Sequence, residues 1–170
     1  MRRLAPLALL ALVPGLSGCG LHPLYAGGTR GPVAATLADV EVGPIGGQSG
    51  FLMRKALTDR LGAVGHGSTR YLLSVELDDK IEGFAINAQN SVTRERRTLR
   101  ARFRLTDQEA AGITVLDATA GSDAGIDVVS SDYATLAAEQ TALENLTQDL
   151  ADQIVSRLSL YAQRGGPKKP

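Results

Sequence analysis

The sequence predicts an α+β fold: a two-layer sandwich with two helices packed on one face of a four-stranded sheet, in the order β-α-β-β-β-α. Three observations predict it. Three long segments alternate apolar and polar residues with period two. One segment of about 30 residues near the C-terminus repeats leucines at helical spacing. A shorter helical stripe precedes the alternating segments.

In the chain of 170 residues Arg2 and Arg3 follow Met1, and an uncharged apolar run, Leu4 to Leu16, comes next. That run is shorter than the roughly 20 residues a membrane-spanning helix needs. Basic start, short apolar stretch and small residues form the layout of a secretory signal over residues 1–18. Cys19 follows, the single cysteine of the chain, so no internal disulfide can form. The run Leu16-Ser17-Gly18-Cys19 resembles a lipobox, the processing site of bacterial lipoproteins. The resemblance implies cleavage before Cys19, a lipid on its thiol, and acylation of the new amino group. The alternatives are an ordinary signal peptide with a chance cysteine, or a cysteine buried in the core. The lipobox resemblance also reads the next residue: Gly20, not being Asp, implies sorting to the outer membrane. Cleavage would leave 152 residues, 170 less 18, with 16 basic and 18 acidic side chains. Several acyl chains, each contributing about 0.8 kcal/mol per buried methylene, suffice for a stable anchor.

Residues 19–36 are rich in Gly and Pro and read as a lipidated tether. Residues 37–43, LADVEVG, alternate as a short strand with Val40 and Val42 inward. After the break GPIGGQSG, Ser49 is placed to cap a helix over 50–64. Its apolar side is Leu52, Met53, Ala56, Leu57, Leu61 and Val64, and the GHG at 65–67 ends it.

In 70–78 the residues Tyr71, Leu73, Val75 and Leu77 share one face. In 92–106 Leu99, Ala101, Phe103 and Leu105 point one way, while Arg94, Arg96, Arg100, Arg102 and Arg104 point the other, with Arg97 opposite them. In 113–129 the even positions Leu116, Ala118, Ala120, Ala124, Ile126 and Val128 are small or apolar. The last helix takes its N-cap from Ser131 or Asp132 and stops at Gly165. Leu136, Leu143, Leu146, Leu150, Ile154, Leu158 and Tyr161 form its stripe. The folded domain is thus expected over residues 37–164, with a frayed tail over 165–170.

Catalysis finds no support. His22 and His66 have no metal-ligand spacing to each other or to Cys19. The Gly-rich GPIGGQSG lacks the Gly-Lys-Ser/Thr ending of a phosphate loop. Asp78 and Asp79 are adjacent on a strand and point to opposite faces. No enzyme activity, metal or cofactor is implied. The five arginines are the one unusual cluster. Guanidinium groups suit phosphates and carboxylates. A solvated sheet face, paired with Glu76, Asp78 or Glu95, is the plain reading; an anionic partner surface or lipid headgroup is the functional one. Export argues against nucleic acid.

Four stretches carry a family resemblance: LSGCGLHPLYAGG, VEVGPIGGQSGFLMRKALTDRL, VTRERRTLRARFRLTD and SSDYATLAAEQTALENLTQDLADQI. In this order they resemble the alphaproteobacterial branch of LptE, the lipopolysaccharide-assembly lipoproteins. The first includes the lipobox and a Gly-x-x-Pro-Leu-Tyr run at Gly20, Pro23, Leu24 and Tyr25. The resemblance implies a fold of two helices on a four-stranded sheet. It implies a non-enzymatic lipoprotein that plugs the LptD β-barrel of the outer membrane, helps it assemble, and assists lipopolysaccharide delivery to the outer leaflet. The five arginines would then meet carboxylates of the barrel lumen or lipopolysaccharide phosphates. The alternative is a periplasm-facing lipoprotein carrier that binds a lipid or hydrophobic ligand itself.

Overall fold

The computed structural model describes residues 31–62, 68–86 and 92–164. The order of elements is α1 (Pro32–Ala38), β1 (Val40–Val42), α2 (Gly47–Gly62), β2 (Tyr71–Ile86), β3 (Val92–Asp107), β4 (Ile113–Asp127) and α3 (Asp132–Gln163). The four strands form one sheet in the order β1-β2-β3-β4. β1 pairs parallel with β2, and the other pairs are antiparallel. The helices cover one face, so the architecture is the expected α+β two-layer sandwich.

Its helical layer holds three helices instead of two. The stretch read as tether contains α1, which starts on Pro32 after Gly31 and buries Val33, Ala34 and Leu37. Pro suits the first helical position because its missing N–H has no intrahelical acceptor there. Leu37 and Ala38 therefore belong to α1, and β1 shrinks to Val40–Val42. A strand pattern of seven residues yields because α1 packs its apolar side against α3.

α2 begins two residues earlier than Ser49, at Gly47, whose φ of +79° only glycine adopts without strain. Ser49 lies inside the first turn and does not cap it. Met53, Ala56, Leu57 and Leu61 are buried as expected, and Val64 with the GHG turn lies outside the described residues. A side chain at Gly50 would put its Cβ 2.7 Å from the carbonyl carbon and oxygen of Ile45. The helix can fold back on the loop before it only because Gly50 has none.

β3 spans 16 residues, about 50 Å, and α3 spans 32 residues, about 48 Å. Ser131 caps α3 by accepting from the Ala134 N–H at 3.4 Å. Arg164 is its C-cap, and Gly165 lies outside the described residues. Leu143, Leu146, Leu150, Ile154 and Leu158 meet Leu99, Ala101, Phe103 and Leu105 in one core. Leu136 follows the same helical spacing but is 63% exposed. The core ends before it: the first turns of α3 overhang the far half of the sheet. There Arg97 donates two hydrogen bonds to the Asp79 carboxylate, at 2.9 and 2.7 Å, and a third to the Glu139 carbonyl at 2.9 Å. Ile81, Phe84, Val129, Tyr133 and Leu136 are exposed.

Candidate functional site: the bare face of the sheet

The helices pack on one face of the sheet, and no described helix or strand covers the other. Alternation along β3 places Arg94, Arg96, Arg100, Arg102 and Arg104 there, and cross-strand pairing decides their neighbours. On β2 the facing positions are Glu76, Asp78, Lys80 and Glu82. On β4 they are Asp117, Thr119, Gly121, Asp123, Gly125 and Asp127. A basic stripe therefore runs between two largely acidic ones. Six cations (Lys80 and the five arginines) stand among six carboxylates (Glu76, Asp78, Glu82, Asp117, Asp123 and Asp127), and the face is formally neutral.

Four of the five arginines have partners in the sheet. Arg94 Nε meets Asp127 at 2.9 Å, Arg102 Nη2 meets Asp117 at 2.8 Å, and Arg104 Nη2 meets Glu76 at 2.8 Å. Arg96 Nε stands 3.9 Å from Asp123. Hydrogen bonding to Arg102 holds the Asp117 carboxyl below the usual carboxylate range and raises the guanidinium in return. Opposite charges facing across strands stabilise a sheet modestly. Arg94 and Arg96 also stack over the Phe84 ring, 5.7 and 5.2 Å from its centroid.

Arg100 is different. Among the described residues it has no ion-pair partner. Its Cα neighbours are Asp78 and Gly121, but Asp78 pairs with Lys80 at 3.1 Å. Gly121 has no side chain, and Arg100 lies across it, with Cγ 3.6 Å and Nη1 3.8 Å from where a Cβ would stand. Arg100 lines an open groove of about 700 Å3 that reaches the β4 edge and includes Arg157 and Gln153 of α3.

The plain reading of the arginines names Glu76, Asp78 or Glu95 as partners. Only Glu76 serves. Asp78 takes Lys80, and Glu95 sits on the opposite face with one buried oxygen that has no hydrogen-bond partner among the described residues. The missed partners are Asp117, Asp123 and Asp127. They recur at odd positions of β4, and the sequence shows them, but not which arginine each one faces. Carboxylates of the same sheet thus offset four of the five charges. Cys19, His22 and His66 lie outside the described residues.

Among the described residues no group of three or more His, Cys, Asp or Glu is placed to hold a metal. None of their helices is long and apolar enough to cross a membrane. A second groove, of about 230 Å3, lies between β1 and α2 and is lined by Val40, Val42 and Leu61 together with Asp39, Glu41 and Arg54. Neither groove is the deep apolar cavity that a lipid carrier would use.

A family model described as LptE, lipopolysaccharide-assembly, matches residues 37–158. Among solved structures, a lipoprotein of Caulobacter crescentus CB15 is 22% identical, with a TM-score of 0.66 over 81% of this chain and 100% of that one. A minor lipoprotein of Acinetobacter baumannii is 17% identical, with a TM-score of 0.59 over 77% and 95%. The rare lipoprotein B of Shewanella oneidensis is 10% identical, with a TM-score of 0.56 over 74% and 96%. These three share the fold. No curated protein matches the chain by sequence.

Proposed function

Because the chain belongs to the LptE family and so has a role in lipopolysaccharide assembly, we propose that it is an outer-membrane lipoprotein that plugs the LptD β-barrel, helps the barrel assemble, and assists lipopolysaccharide transport to the outer leaflet. Residues 1–18 are its signal peptide, and Cys19 carries the lipid that holds it on the periplasmic side. The tether runs from Cys19 to the start of α1, and the folded domain enters the barrel lumen.

The observation that carries this reading is the bare face of the sheet. A free-standing two-layer domain does not need such a face to be ordered by salt bridges. Large outer-membrane barrels have polar lumens, and a plug must present polar surface to them. The alternating charge stripes match such a wall without leaving a strong net charge. Arg100 is the arginine left to meet a lumen carboxylate or a lipopolysaccharide phosphate. Arg94, Arg96, Arg102 and Arg104 contribute by holding the stripe in register.

The test is to purify the tagged mature protein from solubilised outer membrane. The barrel should come with it, and its absence would sink the reading. In the same cells Cys19→Ser should accumulate as an unprocessed, non-acylated precursor. Arg100→Glu should leave the isolated domain folded, since exposed charges alter stability by about 0.5 kcal/mol or less. It should weaken barrel recovery or lipopolysaccharide binding, measured separately; if neither changes, Arg100 is only a solvated side chain.

A further inference from the structure

β4 is an edge strand of 15 residues, and among the described residues no strand pairs with its outer side. Its register with β3 runs without a shift from the Leu105↔Leu116 pair to the Arg94↔Asp127 pair. In an antiparallel ladder, residues alternate between those whose N–H and C=O point to the neighbour and those whose groups point away. The Val128 N–H donates to the Thr93 carbonyl at 2.9 Å, so the even positions face β3. The Gly121 carbonyl accepts from Gln153 Nε2 of α3 at 3.3 Å, which shows independently that the odd positions face out.

The outward row is therefore Asp117, Thr119, Gly121, Asp123, Gly125 and Asp127, and all six are exposed. It spans about 34 Å at roughly 3.4 Å per residue. Among the described residues, the Gly121 carbonyl is the only backbone group of this row with a partner.

Natural edge strands are usually blocked by charged side chains, lysine above all, or by prolines, bulges or short length. This row has no lysine and no proline. Its one irregularity against β3 lies beyond it, at Leu105/Thr106. Its three aspartates are drawn inward to Arg102, Arg96 and Arg94. The opposite edge, β1, has only three residues.

Two cations without ion-pair partners among the described residues, Arg100 and Arg157, line the groove at the middle of the row. They argue against a second copy of this chain. Two β4 edges paired about Gly121 would bring both arginines of each copy together. They favour a strand that brings carboxylates.

We propose that the β4 edge accepts an extended, carboxylate-bearing segment of the barrel partner as a fifth strand, with Arg100 and Arg157 receiving its acidic side chains. Main-chain hydrogen bonds supply the attachment and the two arginines set the register. This rests on the barrel reading above. The Gln153 amide occupies the place of one incoming N–H and must swing away.

The experiment uses the tagged full chain and its copurified barrel. Gly121→Pro and Gly125→Pro each remove one outward N–H and leave the ladder to β3 intact, as edge positions allow. Both should fold and lose the barrel, while Gln153→Ala should keep it. In the unmodified protein, the amides of Thr119, Gly121, Asp123 and Gly125 should exchange fast when it is free and slowly in the complex. If the unmodified chain brings no barrel, the barrel reading falls and this inference with it. If the barrel arrives with both proline variants and those amides stay fast, the edge inference alone is overturned. Slow amides that depend on the concentration of the pure chain would mean a second copy and would also overturn it. Should the proline variants fail to fold, exchange in the unmodified chain decides.

Discussion

Arg70 and Asp107 lock the end of the sheet that lies furthest from the Ile86–Val92 pair. Asp107 is fully buried, and its Oδ2 accepts from Arg70 Nε at 3.2 Å and Nη2 at 2.8 Å. Its Oδ1 accepts from the Glu109 and Ala110 N–H groups at 3.0 and 3.3 Å. One carboxylate thus ties the start of β2 to the turn between β3 and β4. That turn reverses through Ala111 and Gly112, at φ of +56° and +74°.

The first prediction concerns acid. The Arg70 hydrogen bonds, outweighing burial, hold the Asp107 carboxyl below its ordinary range. Its folded pKa is depressed, so the unfolded chain takes up the proton first as pH falls. The stabilisation is fully present above about pH 4, the ordinary aspartate range, and is lost as pH falls through the lower folded value. Asp107→Asn should cost about 1–3 kcal/mol at pH 7. In thermal melts from pH 7 to pH 3, the gap between wild type and variant should close at the acid end. A gap that stays constant would remove Asp107 from this role.

A second prediction concerns the core. Leu150 is fully buried on α3. Leu150→Ala should cost roughly 2–5 kcal/mol, out of the roughly 5–15 typical of a domain. Chemical denaturation would show this as a lower midpoint with an unchanged slope. An unchanged midpoint would place Leu150 outside the core.

The third prediction runs against helix propensity. Ala is better than Gly inside a helix by about 1 kcal/mol. Gly50→Ala should nevertheless lower the thermal midpoint, because the new Cβ would press on the Ile45 carbonyl group at 2.7 Å. Stabilisation would mean that the loop before α2 yields freely.

Much of the fold was legible because it is written in local periods. The two faces of β3 separate cleanly at Leu99, Ala101, Phe103 and Leu105, and the body of α3 repeats at helical spacing. What stayed hidden depends on distant parts of the chain. α1 looks like a tether, since seven residues next to Gly31 and Pro32 become a helix mainly by docking on α3. Leu136 keeps the spacing of the stripe but not its burial, because periodicity carries no record of where the core across from it ends. The arginine row was visible as a row. Its neutralisation by Asp117, Asp123 and Asp127 was not, because the β3–β4 register is set by the turn and bulge between them and not by either strand alone.

The parallel pairing of β1 with β2 has a consequence in time. β2, β3 and β4 meet their neighbours through short reversals, as in the closing pair Ile86 and Val92. Val40 must find Tyr71 across the whole of α2. Closing that larger loop has a greater entropic cost, and such contacts form slowly. The meander is expected to assemble early, and the short first strand to dock after the transition state. A core truncation there, Val42→Ala, should then speed unfolding and hardly slow refolding. In stopped-flow kinetics the opposite pattern, slowed refolding with unfolding unchanged, would mean that β1 belongs to the nucleus. The short first strand would thus be the last to join the sheet on folding and the first to come away.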